Sequence, residues 1–298
     1  MRVVSFEAPD GYQAVGYLRN NAVYDFSRAF AIFLVAGGFS PEASKFTVID
    51  LLEDGMLQAE VFEEVAQYVE AHGLDTYLRV EEARLLPPLW PNRIIALGRN
   101  YAAHAAETGH KPPKEPVFFM KATTSVIAAD APVLCPKNVG RIDPEVELAV
   151  VIGKEGKRIS RAKAMDYVAG YTILNDVTAR DMQTRDMALA HPWFLSKSFD
   201  TFGPLGPCIT LLDEIPDPHA LEISLSVNGE VRQRSNTSQM IFKIPDLIHR
   251  LSRYISLEPG DVISTGTPEG IAPVQPGDLM EAHVERIGVL RNPVFAEK

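Results

Sequence analysis

Two glutamates lie inside an apolar stretch, DPEVELAVVIG at 143–153, which otherwise reads as a buried strand. Glu145 and Glu147 are two residues apart, so in a strand their side chains point to the same face. Neighbouring carboxylates repel each other, and burying them without a compensating charge is very costly. Either they lie on a solvated strand face, or a divalent cation compensates them.

A third carboxylate, Asp176, ends another apolar strand, YTILND. Three carboxylates at the ends of core strands form an all-oxygen ligand set, which suits Mg²⁺ or Mn²⁺, with Ca²⁺ as a further candidate. Zinc fits less well because no Cys or His joins the set. Arg180 and Gln183 follow at a spacing that would put them on the Asp176 face of a helix or turn. Arg180 could then bind a substrate carboxylate, although a solvated polar helix has the same spacing.

The segment GRNYAAHAAETG at 98–109 contains a histidine and a glutamate three residues apart. Asn100 as N-cap and Gly109 as terminator predict a short helix with His104 and Glu107 on one face. A carboxylate beside an imidazole raises its basicity, which would make His104 a general base able to activate water. An exposed His–Glu pair on any helix gives the same pattern.

Two lysines and a threonine lie in further stretches that suit a site. Lys121 and Lys197 have apolar surroundings, VFFMKATTS and WFLSKSFDTFGP, in which a lysine needs a charged partner. Either could neutralise a carboxylate cluster or a substrate enolate. Thr267 lies in STGTPEG at 264–270, where hydroxyl and backbone N–H groups could bind an anion. A plain turn is the alternative interpretation of that segment.

The composition limits the kind of protein that would carry these residues. The chain has 298 residues, 46% of them hydrophobic, which is enough for a sizeable core. Its formal net charge of −10 argues against nucleic acid as a partner. Two cysteines without a CxxC pair fit a reducing compartment. Since we find neither a signal peptide nor an apolar run of membrane length, we expect a cytoplasmic protein with no membrane partner.

A proline-rich stretch, EEARLLPPLWPN at 81–92, cannot continue a helix and predicts a domain boundary. Residues 1–85 combine strands with three helical patterns and predict a small N-terminal α+β domain. Residues 86–298 begin with a strand pattern at 93–98 and are mostly strands beyond residue 140, with helical patterns at 160–170 and 243–255. This order predicts a β-rich α+β fold without alternating βαβ units.

Six segments together resemble the fumarylacetoacetate hydrolase family, and they occur in the family's order between residues 93 and 298. The segments are GRNYxxHxxE (98–107), EPVFFMKATTS (115–125), RIDPEVELAVVIGK (141–154), GYTILNDVTARDMQ (170–183), SKSFDTFGPLGP (196–207) and STGTPEGI (264–271). The resemblance implies a β-roll-like catalytic domain over residues 86–298, usually a homodimer, with a variable N-terminal domain over residues 1–85.

The resemblance also implies a metal site and a base. Glu145, Glu147 and Asp176 would be ligands of Mg²⁺ or Mn²⁺, so the two glutamates would be metal ligands on the open face of the strand. His104 and Glu107 would form a base dyad on a lid. The implied substrates are small-molecule 2-oxo acids with a second carbonyl or carboxylate, as in an acylpyruvase or fumarylpyruvate hydrolase.

The same resemblance implies the substrate contacts and the reaction. Contacts to the substrate or its intermediate would come from Lys197, Arg180, Gln183, Thr267 and Lys121. Water activated by His104 would attack the distal carbonyl of a 2,4-dioxo acid, and the broken C–C bond would release a pyruvate enolate held by the metal and Lys197. Alternatives on this site are oxaloacetate decarboxylation and dehydration or isomerisation of 2-oxo sugar acids. An alternative from another class is a non-catalytic metabolite-binding scaffold.

Overall fold

A computed structural model describes residues 1–20, 22–40 and 46–297. The strands are β1 (Arg2–Glu7), β2 (Gln13–Arg19), β3 (Ala22–Asp25), β4 (Arg79–Val80), β5 (Arg84–Leu85), β6 (Ile94–Gly98), β7 (Val117–Lys121), β8 (Val126–Ile127), β9 (Val133–Cys135), β10 (Ile142–Asp143), β11 (Val146–Ile152), β12 (Val168–Asn175), β13 (Thr178–Ala179), β14 (Gly203–Leu211), β15 (Glu222–Val227), β16 (Glu230–Asn236), β17 (Val262–Ser264), β18 (Leu279–Val284) and β19 (Gly288–Ala296).

The helices are shorter than the strands in total. The α-helices are α1 (Phe26–Ala36), α2 (Val48–Glu53), α3 (Ala59–Ala71), α4 (Asp75–Leu78), α5 (Ala102–Glu107), α6 (Arg180–Ala188), α7 (Phe194–Lys197) and α8 (Ile244–Ser252). Short 3₁₀ helices are Thr123–Ser125, Arg161–Tyr167 and Thr237–Gln239. The α+β, strand-rich fold class predicted from the sequence is confirmed. No described helix is both long enough and apolar enough to cross a membrane.

The largest sheet contains strands from both sides of the predicted domain boundary. Among the described residues it has twelve strands, in the order β4-β3-β2-β1-β14-β12-β11-β17-β6-β7, with β5 paired to β1 and β8 paired to β14. The connection between the two parts is the antiparallel pairing of β1 with β14, in which Val3 lies opposite Ile209. The boundary near residue 85 stays a prediction, and the structure places both parts in one sheet.

Strand β11 lies near the middle of this sheet and is buried along its whole length. Leu148 and Val150 pack on one face, together with Leu225 from a second, five-stranded sheet of order β16-β15-β18-β19-β9. Ala149 packs on the opposite face, in a cluster that includes Phe62 of α3. Covering on both faces explains the continuous apolar run, since a strand with one solvated face would alternate. A solvated strand face, one of the two alternatives for Glu145 and Glu147, is therefore ruled out, since both side chains are buried.

One predicted helix differs from the structure. The pattern at 160–170 forms a 3₁₀ helix only as far as Tyr167, and its last three residues begin β12. Val168 and Gly170 pair there with Ile152 and Val151 of β11. Long-range strand pairing thus determines the conformation where the local pattern favours a helix. The pattern at 243–255 forms α8 as predicted.

Candidate active site and metal centre

The three predicted carboxylate ligands lie together at one end of the central strands. Glu145, Glu147 and Asp176 are buried, and each offers an oxygen within 4.8 Å of the other two. Glu145 directly precedes β11, Glu147 is its second residue, and Asp176 directly follows β12. The antiparallel pairing of Val146 with Asn175 brings these strand ends together. A backbone hydrogen bond of 2.8 Å from Asp176 N–H to the Glu145 carbonyl oxygen extends that pairing by one step.

Two buried lysines neutralise part of this cluster. Lys197 Nζ donates to Glu145 Oε2 at 2.8 Å and to Asp176 Oδ2 at 2.5 Å. Lys121 Nζ lies 2.8 Å from Asp176 Oδ1 and also donates to the backbone oxygen of Lys197. Both lysines therefore pair with the carboxylate cluster, one of the roles expected for lysines in apolar surroundings. Among the described residues that line the cavity Lys121 is not found, so its predicted substrate contact has no support in this geometry.

Glu147 has a different environment from the other two carboxylates. Its Oε2 accepts hydrogen bonds from the Ser264 hydroxyl at 2.5 Å and from Gly266 N–H at 2.8 Å. No lysine or arginine of the described residues forms an ion pair with Glu147, although the charge of Lys197 is close enough to lower its pKa somewhat. Burial, and then the charge of Asp176, raise the pKa of Glu147 to about 8.

This environment fits a bound cation. The donor set consists only of carboxylate oxygens, and Glu147 forms no ion pair within the described part of the chain. A divalent ion held by Glu145, Glu147 and Asp176 would supply that charge. Mg²⁺ and Mn²⁺ both prefer such oxygen ligands.

Arg180, the first residue of α6, connects a buried aspartate to the cluster. Its Nε donates to Asp143 Oδ2 at 2.7 Å, its Nη1 donates to Gln183 Oε1 at 2.6 Å, and its Nη2 donates to Glu145 Oε1. Burial alone would raise the pKa of Glu145, but the charges of Lys197 and Arg180 hold it well below the ordinary value. The structure thus brings Arg180 and Gln183 to the same site, as their spacing predicted.

The predicted histidine and glutamate share one face of α5. His104 is buried, and its Nδ1 lies 3.4 Å from Glu107 Oε2. The Glu107 carboxylate also accepts the N–H of Gly270 at 3.1 Å. Burial lowers the pKa of His104, which favours the neutral imidazole at pH 7. A neutral ring with Glu107 near one nitrogen leaves the other nitrogen available as a base.

The predicted N-cap of this helix is wrong. Tyr101 occupies the cap position of α5 and makes no side-chain cap bond. Asn100 is instead fully buried, and its amide donates to the backbone oxygens of Phe242 at 3.0 Å and Thr265 at 2.8 Å. Its Oδ1 accepts the N–H of Phe242 at 2.8 Å. Asn100 therefore connects the start of α5 by hydrogen bonds to the loops that contain Phe242 and Thr265.

A cavity of about 340 Å³ joins these groups. The predicted site residues that line it are His104, Glu107, Glu145, Glu147, Asp176, Arg180, Gln183, Lys197 and Thr267. The Thr267 hydroxyl accepts a hydrogen bond of 2.9 Å from Gln233 Nε2, which fixes its position on the wall. Trp193, four residues before Lys197, also lines the cavity.

Sequence reasoning missed three charged residues of the site. Arg99 and Arg141 line the cavity, and buried Asp143 accepts hydrogen bonds from Arg141 at 2.7 Å and from Arg180. All three lie inside segments that carry the family resemblance. Their position in those segments was the available signal, whereas their residue types alone fit a solvated loop.

Comparison with known proteins identifies the family of this chain. The family described as "Fumarylacetoacetate (FAA) hydrolase C-terminal" matches residues 93–295. An uncharacterized protein of Pyrococcus abyssi is 53% identical over 207 residues, which are 70% of this chain and 92% of that protein. The mitochondrial oxaloacetate tautomerase FAHD2B of Homo sapiens is 42% identical over 263 residues, which are 86% of this chain and 82% of that protein.

A solved structure agrees with the fold over the full length. Maleylpyruvate hydrolase from Sphingobium sp. SYK-6, in complex with manganese(II) ion and pyruvate, is 30% identical, with a TM-score of 0.77 and complete coverage of both chains. The family match contains every residue predicted for the site, since these residues lie between 104 and 267. The chain therefore belongs to the fumarylacetoacetate hydrolase family.

Proposed function

We propose that this protein is a metal-dependent enzyme that enolises 2-oxo acids, and that its reaction is the tautomerisation of oxaloacetate or a close analogue. One observation carries the proposal: a histidine–glutamate pair and a buried carboxylate triad line the same cavity. The 42% identity with human oxaloacetate tautomerase over 86% of the chain supports tautomerisation among the reactions of the family.

His104 is the residue that would move the proton. Its Nδ1 faces Glu107, so Nε2 is the ring nitrogen left for the substrate. In the keto-to-enol direction the C3–H bond of the substrate breaks and an O–H bond forms at the C2 oxygen. The reaction consumes no water and no oxidant. A base within reach of C3 is therefore the main requirement.

Basic side chains that line the cavity would stabilise the negative charge that develops on the substrate. Lys197 would stabilise negative charge on the enolate oxygen, and Arg180 with Gln183 would orient the substrate carboxylate. Arg180 is fixed for that task because Asp143 and Glu145 both accept its hydrogen bonds. A divalent ion held by Glu145, Glu147 and Asp176 would act as a Lewis acid on the substrate oxygens when bound.

Hydrolysis of a 2,4-dioxo acid is the second candidate. The His104–Glu107 pair favours it, because the same base could take a proton from water. The structural likeness to maleylpyruvate hydrolase also supports it. Hydroxide would add to the distal carbonyl, the C–C bond would break, and protonation of the pyruvate enolate would give pyruvate and a carboxylic acid.

Three parallel assays with Mg²⁺ or Mn²⁺ distinguish the candidates. The first follows loss of the enol of oxaloacetate by its absorbance, the second pyruvate and CO₂ release from oxaloacetate, and the third pyruvate and carboxylic acid release from an acylpyruvate. We expect accelerated tautomerisation that His104→Ala abolishes while Mn²⁺ binding, measured by calorimetry, is retained. His72→Ala, a change at an exposed histidine on the N-terminal helices, is the control.

The other outcomes each favour a different function. Products from the acylpyruvate alone would make the protein a hydrolase, and CO₂ from oxaloacetate alone would make it a decarboxylase. Turnover in none of the assays would favour the metabolite-binding scaffold. An active His104→Ala variant would contradict the assignment of the base.

We also propose that the protein is a homodimer, as the family resemblance implies. Leu189, Phe194 and Leu195 support an interface close to the site, because these large apolar side chains are exposed around the helix that carries Lys197. Light scattering on the purified protein tests the mass, and a monomer at micromolar concentration would contradict the proposal.

A further inference from the structure

Arg99 differs from the other basic side chains that line the cavity. The other three are paired with carboxylates: Arg141 with Asp143, Arg180 with Asp143 and Glu145, and Lys197 with Glu145 and Asp176. No carboxylate of the described residues lies within ion-pair distance of Arg99. Its Nη2 lies 3.6 Å from Met187 Sδ, and its Cζ lies 5.4 Å from the centre of the Trp193 ring.

The contacts of Arg99 hold its side chain without neutralising it. A thioether sulfur is a weak acceptor, and an aromatic face leaves the five guanidinium N–H donors largely unsatisfied. Arg99 is half-buried, and this loss of hydration lowers its pKa. The ring is close because residue 98 is glycine: a Cβ there would lie 2.6 Å from Trp193. A positioned but unpaired cation on a cavity wall suits an anionic group of the ligand.

Arg99 lies at the same end of the sheet as the carboxylate triad. Ala149 of β11, Ser264 of β17 and Ala96 of β6 lie side by side in register. Along β11, Glu147 lies two residues before Ala149. Along β6, Gly98 lies two residues after Ala96 and directly precedes Arg99. Because β6 runs antiparallel to β11, both steps lead to the same end. Two strand spacings place these backbones roughly 10 Å apart.

We propose that Arg99 binds the second carboxylate of a dianionic 2-oxo acid and so selects diacids over monoacids. The inference rests on the proposed function, which puts the 2-oxo acid end of the substrate at the triad. The charge balance of the wall supports it. The lining contains four basic and four acidic side chains: Arg99, Arg141, Arg180 and Lys197 against Glu107, Glu145, Glu147 and Asp176. A bound divalent ion would leave two positive charges in excess, which a dianion neutralises.

The test compares oxaloacetate with the methyl ester of its distal carboxylate, which keeps the 2-oxo acid end and removes one charge. Arg99→Met keeps an unbranched side chain beside Trp193 and removes the guanidinium. We expect Arg99→Met to raise KM for oxaloacetate about 10- to 100-fold and to leave KM for the ester nearly unchanged, since one charge-assisted contact is lost. Arg99→Lys should recover part of the preference. Equal effects on both compounds, or none, would overturn the inference.

A matched control separates charge from backbone effects. Arg158 has the same left-handed backbone as Arg99, with φ of 56° against 61°, but is exposed. Arg158→Met should leave both KM values unchanged, and melting temperatures of all variants confirm folding. A rise in KM for oxaloacetate in Arg158→Met as large as that in Arg99→Met would overturn the inference.

Calorimetry keeps this inference distinguishable from the proposed function. Both compounds are titrated in the presence of Mg²⁺ into protein that carries His104→Ala, with and without Arg99→Met. Tighter binding of oxaloacetate that Arg99→Met abolishes supports the role of Arg99, even if the wild type turns over neither compound and the proposed function fails. Turnover by the wild type without any loss of selectivity in Arg99→Met refutes the role of Arg99 alone.

Discussion

At the scale of single residues, the three carboxylates of the triad lie close together but differ in the charges that surround them. Lys197 pairs with Glu145 and Asp176, whereas Glu147 accepts only from a hydroxyl and a backbone N–H among the described residues. A buried carboxylate in that position is costly without a cation. Glu147 should therefore be the ligand on which metal binding depends most clearly.

Glu147→Gln keeps the shape of the side chain and removes its charge. We expect the metal-free variant to be at least as stable as the wild type, because glutamine removes the cost of burying an ionisable carboxyl beside Asp176, whether that carboxyl is charged or is kept protonated by its raised pKa. We expect its Mn²⁺ affinity to fall by more than about 100-fold, beyond the usual cost of losing an outer partner of a metal ligand. Melting temperatures with chelator and with Mn²⁺ measure both effects. Glu222→Gln, at an exposed strand position, is the control, and a wild-type response to Mn²⁺ in Glu147→Gln would contradict the site.

The sequence predicted the ligand residues better than the residues that orient them. Glu145, Glu147 and Asp176 stand out because a charge in an apolar strand conflicts with its surroundings. Asp143 gives no such signal, because an aspartate before a strand is ordinary. Its function depends on contacts with two arginines, one of them 37 residues away, and no local pattern encodes such a contact.

At the scale of the elements, periodicity predicted most strands and helices but not the bonds between them. The start of α5 shows the difference. Asn100 has the residue type and position of an N-cap, yet its amide bonds to Phe242 and Thr265, which are 142 and 165 residues away. The N-cap pattern depends only on local sequence, whereas the observed bonds depend on where α8 and β17 place their neighbouring loops.

Asn100→Ala should therefore affect both stability and catalysis. It removes three hydrogen bonds and leaves the partly buried backbone groups of Phe242 and the buried carbonyl of Thr265 without these partners, so we expect a loss of about 2–4 kcal/mol in the free energy of unfolding. The rate should also fall, since α5 carries His104. Urea denaturation and the tautomerase assay measure the two effects. Asn236→Ala, which removes one bond to Ser238 N–H, is the control and should cost less. Equal losses in both variants would contradict the role of Asn100.

At the scale of the whole molecule, the predicted N-terminal domain contributes structure to a site that it does not contain. All predicted site residues follow residue 93, but β1 pairs with β14 and α2 and α3 cover one face of the large sheet. The match to the Pyrococcus abyssi protein spans 92% of that protein and only 70% of this chain. That relative thus has little length for a counterpart of residues 1–85.

Removing residues 1–85 should separate stability from metal binding. The fragment 86–298 keeps the triad and its lysines, so its melting temperature should still rise with Mn²⁺ by mass action. Without Mn²⁺ the fragment should have a melting temperature well below that of the full chain. The reason is that β14 loses a neighbouring strand and the apolar cluster around Ala149 loses the helices that cover it. The full chain and the fragment carrying Glu147→Gln are the controls. Equal melting temperatures for the fragment and the full chain would show that the shared sheet adds no stability. A folded fragment whose melting temperature does not change with Mn²⁺ would mean that the metal centre requires the first 85 residues.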